Sequence, residues 1–136
     1  MKIGVVIVTH YRLGGEFVQA LRKIVPEVPP FLSVAIDPDQ TVDKMRSLIA
    51  DAIKNAEQGA GVLILTDMFG GTPSNISLSF LEENVVAVVT GMNLPMLIKL
   101  ATLRKELPLA ELATFIKDYG RRNISVASEI LPDEEK

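Results

Sequence analysis

Apolar residues in this chain fall into short unbroken runs, separated by longer stretches in which they recur every three or four positions. The runs are Lys2 to Thr9 (KIGVVIVT), Phe31 to Ile36 (FLSVAI), Gly61 to Thr66 (GVLILT) and Val85 to Thr90 (VVAVVT). Near-continuous apolar strands of this kind belong to parallel sheets covered on both faces. Between them, Phe17, Leu21, Ile24 and Val25 mark an amphipathic helix that Pro26, Pro29 and Pro30 end. Val42, Met45, Leu48, Ile49, Ala52, Ile53 and Ala56 form the apolar stripe of a second helix, with Thr41 or a nearby aspartate as its cap and Gly59 and Gly61 as its stop. Thr72-Pro73 opens a third helix, running to about Glu83, because threonine caps and proline at the first helical position leaves no amide hydrogen unpaired. Pro95 opens a fourth through about Lys105. Pro108 to Asp118 gives a fifth, closed by Gly120. Strands alternating with helices of crossover length predict an α/β fold: a four-stranded parallel sheet with helices on both faces.

The segment Asn123 to Ile130 (NISVASEI) alternates apolar and polar residues, which predicts a C-terminal edge strand. An edge strand leaves backbone groups unpaired unless something covers them, and pairing across a dimer does so. Residues 1–130 then form a single domain, and Leu131 to Lys136 reads as a short acidic tail.

Composition narrows the function classes. A chain of 136 residues that is 48% apolar supports one core without staples, and the absence of cysteine removes thiol nucleophiles and thiolate metal sites. No run is long enough to span a membrane, and a strand follows Lys2 directly, so we expect a cytoplasmic protein with no direct membrane insertion. With a formal charge of -3 and no basic stripe, no nucleic-acid partner is expected.

The candidate chemistry lies where two runs end. The first delivers the chain's single histidine, His10; the third ends on Asp67 and passes into Met68-Phe69-Gly70-Gly71-Thr72-Pro73-Ser74-Asn75. In open parallel sheets, ligands collect outside the carboxyl ends of the strands. Adjacent strands lie about 4.8 Å apart, so adjacency of the first and third runs brings His10 and Asp67 within hydrogen-bond reach. A carboxylate on one ring nitrogen fixes the tautomer and frees the other nitrogen as base, ligand or nucleophile. Taken singly, Asp67 is a turn aspartate and Gly70-Gly71 a turn. Together with Thr72, Ser74 and an uncovered helix start they make an anion cradle, since helix N-termini favour phosphate. An imidazole, an orienting acid and such a cradle suit covalent phosphorylation of histidine.

Rival chemistries each lack a part. No lysine follows the glycines, as a P-loop requires, and G-x-S-x-G is absent. His10 and Asp67 are too few ligands for a closed zinc site. A receiver-like domain needs acidic residues where His10 stands. A non-catalytic anion binder, with His10 as ligand only, stays open. No metal or organic cofactor is expected.

The ordering VIVTH, then LTDMFGGTPSN, then VTGMNLPML resembles the enzyme IIA domain of the mannose family of the bacterial sugar phosphotransferase system, along essentially the whole chain. The resemblance implies a phosphoryl relay: the phosphocarrier HPr donates to the residue matching His10, and a IIB component accepts. It implies that the residue matching Asp67 orients the ring and that the segment matching Gly70, Gly71, Thr72 and Ser74 receives the phosphoryl oxygens. It also implies a homodimer that exchanges a C-terminal strand, here Asn123 to Glu129. Two departures stand out. Relatives usually carry glycine after the histidine, where this chain has Tyr11, and many continue into a IIB domain, so the IIB component is expected on a separate chain. Some relatives serve a dihydroxyacetone kinase relay or act in regulation without a sugar permease.

Overall fold

The computed structural model describes residues 2–132. Its core is an all-parallel sheet of four strands, β1 (Gly4–His10), β2 (Leu32–Ile36), β3 (Val62–Thr66) and β4 (Val86–Thr90), in the order β2-β1-β3-β4. Strand side chains alternate between faces, and both faces are apolar. Val5, Ile7, Leu63 and Leu65 pack with the helices α1 (Leu13–Ile24), α4 (Leu94–Thr102) and α5 (Leu109–Arg122). Val6, Val8, Val62 and Ile64 pack with α2 (Val42–Ala56) and α3 (Thr72–Leu78) on the other face. The unbroken runs of β1 and β3 thus have the cause expected of them, both faces being covered by helices, whereas β2 at the sheet edge exposes Ser33 and Ala35.

Connections from β1 leave toward β2 on one side and return to β3 on the other, so the strand order reverses between β1 and β3. This switch point is where a crevice opens at the carboxyl ends of an open α/β sheet. Val8 pairs with Thr66 in register. His10 and Asp67 follow directly on the same rim.

The helix ends differ from expectation in instructive ways. Thr41 caps α2, its side chain accepting from the Lys44 N–H, and Asn93 caps α4 by accepting from Met96 N–H. The third helix stops at Leu78 rather than near Glu83. There Ser79 Oγ donates to the Ile76 carbonyl at 2.6 Å, and the following amides reach back only three residues, to Ser77 and Leu78, a local bonding pattern that competes with continued α-helix. Gly120 does not close α5, which continues to Arg122. It is buried against Met96, and a Cβ there would sit 2.5 Å from Met96 Cγ, so glycine serves close helix packing.

The C-terminal edge strand is not formed in the single chain. Residues 124–126 carry no strand pairing, and Ala127–Ile130 form one short turn of helix, α6, with no buried residue. Ile124, Val126 and Ile130 are exposed. Alternation marked a segment with one apolar face, and among the described residues that face is left uncovered. Most of the acidic tail lies outside the described residues.

Candidate functional site

Two threonines set the site. Thr9 and Thr66, each wholly buried, occupy matching places one residue before His10 and Asp67. Thr9 Oγ1 accepts from the Gly14 N–H at 2.7 Å and donates to the Tyr11 carbonyl at 3.3 Å. Thr66 Oγ1 donates to the Met68 carbonyl at 3.3 Å. Each hydroxyl fixes the chain as it leaves its strand. In the sequence both stand out as the polar residue between an apolar run and the site side chain, T-H and T-D.

His10 and Asp67 meet as adjacency of their strands required. Asp67 Oδ2 accepts from the His10 backbone N–H at 3.1 Å and lies 2.9 Å from His10 Nδ1. A carboxylate oxygen only accepts, so it places the ring proton on Nδ1 and leaves the Nε2 lone pair free. The His10 side chain is 48% exposed and that of Asp67 11%. A macromolecule can therefore reach the ring while the orienting acid stays sheltered.

The adjacent glycines have separate reasons. Gly70 has φ +93°, a conformation glycine adopts freely, and its missing side chain would meet nothing within 4 Å. Gly71 has an ordinary extended backbone, φ -93° and ψ 173°. A Cβ on it would lie 2.5 Å from His10 Cε1 and 2.9 Å from Nε2. Gly71 is needed for the space the imidazole fills.

Gly71, rather than Thr72, is the N-cap of α3; Thr72 and Pro73 are its first two residues, and no side chain caps it. The sequence favours a threonine cap, but the preceding glycine takes the extended cap conformation where the ring lies. Ser74 is wholly buried and its Oγ has no hydrogen-bond partner among the described residues. Its hydroxyl is therefore away from the exposed rim, and the buried Oδ1 of Asp67 is likewise unpartnered. No group of three or more metal-ligating side chains occurs among the described residues.

Tyr11 has φ +50°. Left-handed backbone costs a residue with a Cβ about 1–2 kcal/mol, which gives a physical reason for glycine at this turn. Here the Tyr11 N–H donates to the Ile36 carbonyl at 2.9 Å, tying the turn to β2.

Fold and site together define a class: an open parallel α/β domain whose switch point presents an exposed histidine oriented by a sheltered carboxylate. Residues 4–117 match the family described as the PTS system fructose IIA component. The chain is 31% identical over 134 residues to the PTS system fructose-specific EIIA component of Bacillus subtilis, covering 95% of this chain and 89% of that protein. It is 31% identical over 113 residues to the sorbose-specific EIIA component of Lacticaseibacillus casei, covering 82% and 81%. The mannose/sorbose specific IIA subunit from Enterococcus faecalis superposes with a TM-score of 0.85 at 26% identity, over 98% of each chain. The chain belongs to the mannose, fructose and sorbose family of EIIA components of the sugar phosphotransferase system. No helix among the described residues is long and apolar enough to cross a membrane.

Proposed function

We propose that the chain carries phosphoryl groups on His10 Nε2, taking them from HPr and passing them to a IIB component. One observation carries the reading: Asp67 Oδ2 holds Nδ1 at 2.9 Å, so the exposed ring offers a single free nitrogen. In the forward step the Nε2 lone pair attacks phosphorus, the N–P bond to the donor's histidine breaks, and that ring leaves with the electron pair. The proton on Nδ1 stays in place, and the carboxylate of Asp67 offsets the positive charge the ring gains. No proton has to move within this chain.

The turn beside the ring fits an arriving anion. Backbone at Gly71 approaches Nε2 without a side chain between them, and the first amides of a helix have no intrahelical acceptor. In this reading Thr72 adds a hydroxyl at the rim, and Ser74 contributes through its amide, its hydroxyl being buried.

The reading includes a homodimer. β4 is an edge of the sheet, and hollows follow one another along its free side, from Val86 past Val88 to Gly91, against α5. The last is bordered by Ile124. An extended segment from a second copy, Asn123 to Glu129, satisfies the edge backbone and buries Ile124 and Val126.

Intact mass after incubation with phosphoenolpyruvate, enzyme I and HPr tests the carrier. A single acid-labile phosphoryl adduct forms on wild type and not on His10→Ala. Equal labelling of the two, or of neither, removes the assignment.

A further inference from the structure

We propose that Ser74 is a positioning residue for transfer at His10: its hydroxyl donates to Asp67 Oδ1 and keeps Oδ2 on the ring. The inference rests on the phosphohistidine reading above. Three buried side-chain oxygens have no hydrogen-bond partner among the described residues, Asp67 Oδ1, Ser74 Oγ and Ser77 Oγ. Native interiors leave few such groups, and each needs a reason. The first is an acceptor without a donor, the second a donor without an acceptor, and both belong to the segment that wraps the imidazole. Asp67 holds Nδ1, and Gly71 lies against Cε1 and Nε2. The Asn75 N–H donates to Gly71 O at 2.9 Å, so Ser74 lies within the turn of helix that starts at the ring.

Other hydroxyls along the helices bond to a carbonyl three or four residues back. Ser79 Oγ donates to Ile76 O at 2.6 Å, and Thr102 Oγ1 to Ile98 O at 2.8 Å. Ser74 makes no such bond. Its proton stays available, and rotation among the staggered wells of χ1 redirects it without moving the backbone. Transfer raises the need for it. One oxygen of Asp67 already serves both the backbone N–H and Nδ1 of His10, and a ring that gains positive charge draws that oxygen closer. The other oxygen then carries charge where water does not reach, which is costly without a donor. A hydroxyl on Oδ1 meets that charge and fixes the plane of the carboxylate. Ser74 thus acts on the ring through Asp67 and touches no reacting atom.

The test is a double-mutant cycle on phosphohistidine formation from phosphorylated HPr, with Ser74→Ala, Asp67→Ala and the two together, and with Ser77→Ala as control. Ser77 is as buried and as unpartnered as Ser74, about one turn further along α3. At either serine alanine removes an unpartnered buried hydroxyl and favours helix, so both variants fold and melt at or above the wild-type temperature. Ser74→Ala lowers kcat roughly 3- to 10-fold, the scale of one net hydrogen bond, with KM for phosphorylated HPr unchanged. That loss disappears when Asp67 is already alanine, and Ser77→Ala transfers at the wild-type rate. A wild-type kcat in Ser74→Ala overturns the proposal. So does the same loss in the Asp67→Ala background, or an equal loss in Ser77→Ala, since either assigns the effect to packing of α3. Wild type that gains no phosphoryl group removes the phosphohistidine reading itself, and this inference with it.

Discussion

Gly70 and Gly71 predict opposite phenotypes for the same substitution. In Gly71→Ala the new Cβ meets His10 Cε1 at 2.5 Å, where ordinary contact begins at 3.4 Å. The ring has to retreat by the difference, 0.9 Å, against a hydrogen bond to Asp67 that is 2.9 Å long. A hydrogen bond to a charged group contributes about 1.5–3 kcal/mol, so its loss slows transfer by roughly 10- to 150-fold. The backbone of Gly71 is ordinary extended chain, so alanine is unstrained there and gains up to about 1 kcal/mol from the lower entropy of the unfolded state, which offsets part of what the displaced ring costs the fold. Gly70→Ala does the reverse. Its φ of +93° strains alanine by about 1–2 kcal/mol, while nothing within 4 Å of its Cβ touches the ring. Melting falls by several degrees and transfer stays within a few fold. The assay pairs the rate of phosphohistidine formation with thermal unfolding on the same samples. Gly71→Ala transferring at the wild-type rate, or losing rate only in proportion to lost stability, would refute the claim that the glycine exists to seat the imidazole.

Other expectations follow from single contacts. Asp67→Ala keeps the fold, since the carboxylate is at a strand end, and slows labelling of His10 by about 10- to 150-fold for the charge-assisted bond it removes; an unchanged rate by intact mass would strip Asp67 of its orienting role. Gly120→Ala drives a methyl group into Met96 and costs about 1–3 kcal/mol of overpacking, read by urea unfolding, with full stability in that variant contradicting the close packing of α4 and α5. Ile124→Asp together with Val126→Asp yields a folded monomer in sedimentation while wild type sediments as a dimer; a wild-type monomer ends the strand-exchange reading.

The architecture was legible because the central strands β1 and β3 are buried on both sides and are written as unbroken apolar runs. The pairing of His10 with Asp67 was legible for the same reason, as both terminate such runs. What the sequence hid was conditional on neighbours. Gly120 looks like a helix stop until Met96 is placed against it, and Asn123 to Ile130 looks like a strand because its alternation records one apolar face without saying which chain covers it. Ser74 resembles a phosphate ligand by its place after two glycines, yet its helix turns that side chain inward. Gly70 and Gly71 are indistinguishable as letters; only the position of the imidazole separates a residue chosen for its φ from one chosen for its volume. Thr9 and Thr66 were visible throughout as the polar residue closing each run, and their hydroxyl bonds explain why the two turns hold their shape.

A single oxygen of Asp67 takes both the backbone N–H and the ring Nδ1 of His10, and the Gly71 backbone lies against the far edge of that ring. The imidazole is thereby held at Nδ1 and bordered by the Gly71 backbone, and its exposed side is the face a partner meets. Two proteins cannot use that face at once. On the phosphoryl-carrier proposal, a donor departs before an acceptor arrives, and each partner inhibits the other competitively.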